Sequence, residues 1–274
     1  MDPQALNHQG TKFLPITPDD IERIKSLQPL DWPDIGQTYS YYINNSFCHP
    51  VKLERYNDLL AVGCLICFEY SAWLGQIIVS ESFRNQGWGG YITQTLVDMA
   101  PSKIQCISLL ATSIGEPMYR KLGFKPQGNY TFYRKDETLP EIVSSRIIKL
   151  DHRFWDELLD LDLKVSGENR SSLIKQFLDN AWGIVDRNEL LAFYLPGLGE
   201  GLIISKETKA GLELMQFKLA TQNRNVIPDQ NTPAMDFLIQ RGYEAYRHAA
   251  RMVKGVPFDF QPDKIYSRIG GNLG

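Results

Sequence analysis

At 274 residues the chain is too long for one average domain and about right for two. Hydrophobic residues make up 43% and charged residues 22% of it, with glycine and proline at ordinary levels, which suits a globular chain with a sizeable core and excludes a disordered or fibrous one. The net charge of −3 offers no basic surface to nucleic acid or an anionic membrane. No apolar run nears the ~18 residues of a membrane helix, and Met1-Asp2-Pro3-Gln4 lacks the regions of a signal peptide, so a cytoplasmic protein is expected.

The chain starts as a loose leader before a strand at residues 12–16. Thr17-Pro18-Asp19-Asp20 then opens a helix, with a cap, a proline at the first helical position and acids in the first turn; Ile21, Ile24 and Leu27 form its apolar face. A second helical piece at 38–44 carries Tyr39, Tyr41 and Tyr42, which read as wall residues. Strands follow at 51–56, 59–70 and 72–79, with a hairpin turn at Asn57-Asp58. The four cysteines, Cys48, Cys64, Cys67 and Cys106, are too few for a disulfide scaffold. Cys64 and Cys67 have the spacing of half a zinc site, but residues three apart in a strand point to opposite faces, so they read as buried thiols. His8, His49, His152 and His248 have no metal-ligand spacing, and no metal site is expected.

The stretch from Gly75 to Met99 carries the first chemical signal. A β-branched run, Ile77-Ile78-Val79, breaks into Arg84-Asn85-Gln86-Gly87-Trp88-Gly89-Gly90 and continues with apolar residues at helical spacing, Ile92, Leu96, Val97 and Met99. Strand, glycine loop and helix in that order attract phosphate, because unpaired amides and the helix dipole both favour an anion. A nucleotide P-loop would need a Gly-Lys-Ser/Thr, and the dinucleotide fingerprint a third glycine where Ile92 stands; neither fits. A plain glycine turn packing helix on strand remains open at this point. After a strand at 104–111 comes Gly115-Glu116-Pro117-Met118-Tyr119-Arg120-Lys121-Leu122-Gly123-Phe124, in which Tyr119 alone could be an ordinary core tyrosine. A strand at 130–134 follows.

Arg84-x-x-Gly87-x-Gly89 after a valine-ended strand, with Tyr119 four residues before the glycine of Leu122-Gly123-Phe124, resembles the GCN5-related N-acetyltransferases (GNAT). The resemblance implies acetyl-CoA as donor. The amides of Gln86, Gly87, Trp88, Gly89 and Gly90, with Asn85 in the same loop, would hold its pyrophosphate, and Arg84 would fix the loop or add charge. The last strand would splay at a bulge, so that the backbone of Ile77, Ile78 and Val79 pairs with the pantetheine arm and offers an N–H to the oxyanion. Tyr119 would protonate the leaving sulfur, a transfer close to balanced between a phenol of pKa ~10 and a thiol of ~8.5. The base stays open among Glu69, Glu81, Glu116, Asp162 and the terminal carboxylate of Gly274.

Residues 135–140 read as a polar linker, after which the pattern begins again: a strand at 145–150, helices at 151–163 and 171–178, and strands at 182–185, 190–195 and 201–204. Asn231-Thr232-Pro233 through Gly242-Tyr243 echoes the Met118 to Phe124 block, with Leu238 in the place of Tyr119 and no glycine loop between Ile204 and Val226. Leu161-Asp162, Gly167, Arg170, Arg251-Met252 and Gly255 are similar to the C-terminal domain of certain two-domain bacterial acetyltransferases. The expected fold is α/β (α+β): a tandem GNAT fold of mixed, mostly antiparallel sheet flanked by helices, in two similar domains at residues 1–138 and 141–274. The expected function is acetyl transfer to a primary amine of a small-molecule or amino-acid-like acceptor, by direct attack through a tetrahedral intermediate, in a pocket shaped by the second domain. A non-catalytic acyl-CoA sensor and a protein or peptide acetyltransferase are the alternatives; the chain would be a monomer or homodimer.

Overall fold

The computed structural model describes all residues except 1–9, 30, 31, 33, 142, 143, 272 and 274. The leader ahead of residue 10 and the carboxylate of Gly274 therefore lie outside the described residues. The first half runs β1 (Thr11–Pro15), α1 (Ile21–Lys25), α2 (Ile35–Ile43), β2 (Cys48–Arg55), β3 (Asp58–Cys67), β4 (Ser71–Val79), α3 (Trp88–Asp98), β5 (Cys106–Ala111), α4 (Glu116–Lys121) and β6 (Lys125–Arg134). The second half runs β7 (Ile147–Lys149), α5 (Trp155–Ser166), α6 (Ser171–Ile174), β8 (Trp182–Asp186), β9 (Glu189–Leu195), β10 (Leu202–Ser205), α7 (Thr208–Leu219), β11 (Arg224–Pro228), α8 (Thr232–Gln240), β12 (Glu244–Gly255) and β13 (Ile265–Ser267). The β2–β3 turn falls one residue earlier than expected: Tyr56 and Asn57 both take positive φ, 50° and 74°, the pairing of a tight hairpin turn that follows strand twist.

One sheet has eight strands in the order β1-β2-β3-β4-β5-β12-β6-β11, the other five in the order β13-β10-β9-β8-β7. All neighbours are antiparallel except β4 and β5. The expected boundary near residue 140 divides the sequence but not the sheets, because β6 of the first half and β12 of the second each pair with strands of the other half. β12 pairs with β5, with Ala250 opposite Ala111, while β6 pairs with β11, with Phe132 opposite Val226. The two lent strands then lie against each other, His248 opposite Thr131.

The internal repeat is visible as repeated helix-end geometry. Gly123 and Gly242 both take left-handed φ, 86° and 77°. The next residue closes the same bond in each copy, Phe124 N–H to Tyr119 O at 3.0 Å and Tyr243 N–H to Leu238 O at 3.1 Å. Glycine suits that position because a side chain there would be strained. α3 and α4 cover one face of the large sheet through Trp88, Ile92, Leu96, Tyr119 and Phe124. The other face, with Trp73 and Ile78, packs on α2 and on the second half through Leu158, Leu161 and Ile265. Cys64 is fully buried on that second face and Cys67 packs at the first, the opposite orientation expected for residues three apart. No group that could hold a metal ion occurs among the described residues, and no helix among them is long and apolar enough to cross a membrane.

α7 buries a lysine. The Lys218 ammonium donates to Asn225 Oδ1 at 2.8 Å and Ser267 Oγ at 2.6 Å, with no carboxylate among the described residues in contact. Burial pushes it down from 10.5 to about 7; Glu200 opposes the shift and Arg268 adds to it. The folded protein thus binds this proton more weakly than the unfolded chain. The lysine therefore costs most stability below about pH 7, and the cost is relieved as pH rises toward 10.5. Lys218→Met should be stabilised relative to wild type at pH 7 by more than at pH 9. Urea denaturation of both proteins at both pH values checks this; an equal difference at the two would mean the folded protein keeps the amine charged at no cost.

Candidate active site

The centre of the large sheet is opened by two irregularities in β4. Opposite β3, Val62 pairs with Ile78 and Cys64 with Gly75, so Gln76 and Ile77 together face Gly63. That extra residue is a bulge, and Gln76 takes φ 53° to accommodate it. The buried Tyr39 hydroxyl, from α2, donates to the Gln76 carbonyl at 2.9 Å and holds the bulge from beneath. Opposite β5, only Ser71, Ala72 and Trp73 are paired, the last with Ser108. Beyond Trp73 the two strands part, leaving the Leu74 to Val79 edge without a neighbour on that side. Ile78 is buried; Ile77 and Val79 are half-buried at this parting.

The glycine loop lies at the far end of β4. Arg84 Nε donates to Val79 O at 3.3 Å, so its side chain ties the loop to the strand. Asn85 and Gly87 take positive φ, 61° and 89°, and turn the chain into α3. The first backbone bond of α3 runs from Tyr91 N–H to Gly87 O at 3.0 Å. The N–H groups of Trp88, Gly89 and Gly90 thus precede the helical ladder, and no acid stands in the first turn to neutralise the dipole. Trp88 contributes backbone only: its ring is buried, 5.4 Å from the Arg55 guanidinium and edge-on to Tyr91. Gln86 folds back on Ser82 O at 3.1 Å. At Gly89 three elements converge, since a Cβ there would sit 3.2 Å from Met118 Sδ of α4 and 3.6 Å from Val79 Cγ2 of β4. A bare glycine backbone with its first-turn amides ahead of the helical ladder, at the mouth of a parted strand pair, fits a pyrophosphate and its trailing arm.

Tyr119, on α4 beside Met118, is 9% exposed and packs edge-on to Phe124. Among the described residues its hydroxyl has no hydrogen-bond partner. Burial pushes the phenol up to about 12, which corrects the expectation of a near-balanced proton exchange with a thiol. The acid is weaker than assumed, and it stays protonated further into alkali.

None of the describable carboxylates proposed as a base is poised for that role. Glu69 accepts from Asn169 Nδ2 at 2.7 Å, Glu81 is exposed, Glu116 pairs with Arg120 at 2.6 Å, and Asp162 is buried against Arg170 at 2.5 Å. The carboxylate that does reach the parting of β4 and β5 is Glu168, which was not anticipated. It accepts from Ser71 Oγ at 2.6 Å, Trp73 Nε1 at 2.9 Å and Arg251 Nη2 at 3.3 Å. Its signal in the sequence was Gly167, a left-handed helix end that turns the next residue back toward the sheet.

Comparison with known proteins bears on this mixed sheet that parts beside a glycine-led helix. Residues 20–124 match the acetyltransferase (GNAT) family model. The chain is 24% identical to a Bacillus subtilis protein described as the uncharacterized N-acetyltransferase YitH, over 89% of this chain and 91% of that one. Its fold is similar to the crystal structure of a candidate acetyltransferase from Pyrococcus horikoshii, with a TM-score of 0.82 at 19% identity over 99% of this chain and 98% of that one. It is also similar in fold to a GCN5-related N-acetyltransferase from Sphaerobacter thermophilus, with a TM-score of 0.60 at 13% identity over 92% and 98% of the two chains. These matches place residues 20–124 with the GNAT acetyltransferases and support the GNAT superfamily and a transferase.

Proposed function

We propose that this protein transfers the acetyl group of acetyl-CoA to the primary amine of a small, amino-acid-like acceptor. The observation that carries the reading is the parting of β4 from β5 after Trp73 and Ser108, with the glycine-led N-terminus of α3 at its mouth. When bound, acetyl-CoA supplies the activated thioester. The chain's own residues do the rest. The N–H groups of Trp88, Gly89 and Gly90 bind the pyrophosphate, and Arg84 keeps their loop on β4. The unpaired edge at Ile77, Ile78 and Val79 orients the arm by backbone pairing, and the bulge held by Tyr39 aims a backbone N–H at the carbonyl oxygen that gains charge. Tyr119 holds a proton for the departing sulfur. The second half closes the acceptor side and excludes water.

One donor site per chain follows, because in the repeat only Lys206 and Glu207 separate β10 from α7 and no glycine loop intervenes. Calorimetry with acetyl-CoA should give a stoichiometry of one, and an amine panel should release free CoA thiol. Gly89→Val should weaken acetyl-CoA binding on the order of 10-fold or more, about 1.4 kcal/mol per decade, because branched atoms would occupy the backbone approach. Its melting temperature should stay near wild type, since the first atom it meets is the flexible Met118 thioether. Undiminished affinity in that variant, or two donor sites, would remove the loop from the reading; donor binding without thiol release by any amine would make the protein a sensor.

A further inference from the structure

On the sheet face opposite α3 and α4, the two halves enclose a small cavity walled by Trp73, Tyr130, Glu168, Arg170, Arg251 and Arg268. All six are buried, at 4% exposure or less. The cavity lies at the vertex of the parted strands: Trp73 is the last residue of β4 paired with β5, and Arg251 Nη2 stands 3.5 Å from Ser108 Oγ, on the residue opposite Trp73.

Its charges do not balance. Arg170 is matched by buried Asp162, through contacts of 2.5 and 3.2 Å, and Arg251 by Glu168 at 3.3 Å. Among the described residues Arg268 has only Glu200, at 2.7 and 3.4 Å, whose side chain is 38% exposed and so keeps part of its hydration. Three buried guanidinium groups therefore share two buried carboxylates. Two N–H groups, Arg251 Nε and Arg268 Nη1, are buried with no hydrogen-bond partner among the described residues. An unpartnered cationic donor in the interior costs more than a neutral one, and two of them on one cavity call for a single negative charge. Guanidinium favours a planar, two-oxygen anion.

We propose that this cavity is the recognition site for a carboxylate on the acceptor, so that the substrate is an amino acid or a close relative with its carboxylate near the reacting amine. The inference rests on the acetyl-transfer reading above for the word acceptor, but the anion site stands on its own charges. With the carboxylate held by Arg251 and Arg268, the amine of the same molecule reaches the vertex where β4 and β5 separate.

The unfilled volume is about 10 Å³, room for one water-sized group. Entry requires a wall to yield, and Phe260 is that wall. It is the half-buried member of the lining, its ring stacks 4.3 Å from the Arg251 guanidinium, and it belongs to a segment at 256–261 without helix or strand. That segment is fastened at its end by Gln261, through Val165 O at 2.9 Å and Lys164 O at 3.0 Å.

The test uses the full chain and two product-like probes that differ in the carboxylate, N-acetylglycine and N-methylacetamide, each titrated by calorimetry with and without CoA. Wild type should bind N-acetylglycine at least ten-fold more tightly. Arg268→Met should lose that preference and Arg268→Lys should retain part of it. Position 268 is preferred to 251 because its ion partner reaches solvent, whereas removing Arg251 strips buried Glu168 of its cation. Equal affinity for both probes, or binding of neither by a protein that does bind CoA, would overturn the proposal. So would an Arg268→Met protein with lowered melting temperature and unchanged preference, which would reduce the cluster to mortar between the halves. CoA affinity, read in the same titrations, tests the acetyl-transfer reading separately: a carboxylate preference in a protein that does not bind CoA would leave the anion site and remove the transferase chemistry assigned to it.

Discussion

Tyr119→Phe is expected to lower turnover on the order of 10²-fold, the lower range for a positioned proton donor, with fold and acetyl-CoA affinity kept. The substitution deletes one hydroxyl that, among the described residues, bonds to nothing, and it leaves the ring on Phe124. No structural bond is lost, so a rate loss would report chemistry. The pH dependence sharpens the test. With the phenol pushed up to about 12 by burial, wild type should show no slowing from tyrosine ionisation as pH rises through 10, and the ratio of the two rates should be flat over that range. Turnover against pH for both proteins, with donor affinity measured apart, checks it. Wild-type turnover in the Phe variant would return Tyr119 to the role of a packed core residue.

Truncation after Asp136 should yield no folded acetyl-CoA-binding fragment. The division expected from the sequence suggests a first domain able to stand alone, but the sheet argues otherwise. Removing the second half takes β12 away from the whole of β5, and both neighbours, β12 and β11, away from β6. It also uncovers Trp73, Ile78 and Ile66 on the face that packs against α5 and β13. Bare strand edges beside a bare apolar face favour aggregation over a stable fold. Circular dichroism and gel filtration of the fragment decide the matter; a monomeric fragment that melts cooperatively and binds CoA would show that the lent strand is dispensable.

The parts of the site that were legible in the sequence are those where local chemistry and fold coincide. Ile77 to Val79 reads as strand from β-branching, Gly87 to Gly90 as a helix-opening loop from its glycines, and the Gly123 and Gly242 helix ends from the repeat. What stayed hidden depends on partners remote in sequence. β12 opens with Glu244, Ala245, Tyr246, Arg247 and His248, four of the five exposed, and continues through two alanines, so neither alternation nor β-propensity marks it; its pairing with β5 and β6 makes it a strand. α7 has a lysine on its buried face, which breaks the apolar stripe that would have announced it. Glu168 has no local signature because its three donors come from β4 and β12. The ordinary phenol pKa assumed for Tyr119 failed for the same reason: burial is a property of the assembled sheet.

The strand exchange also sets the order of events on the ribosome. β5 cannot acquire its neighbour until residues 250–255 have been made, long after β5 itself has emerged. At roughly 5–20 residues per second, the first half waits several seconds with β6 unpaired and β5 held only by the start of β4. During that interval the nascent chain is a client for chaperones that shield open strands, and two nascent chains on one message could exchange β12 with each other in place of closing within themselves. Slowing translation across residues 140–240 would lengthen that exposure and lower the yield of soluble protein.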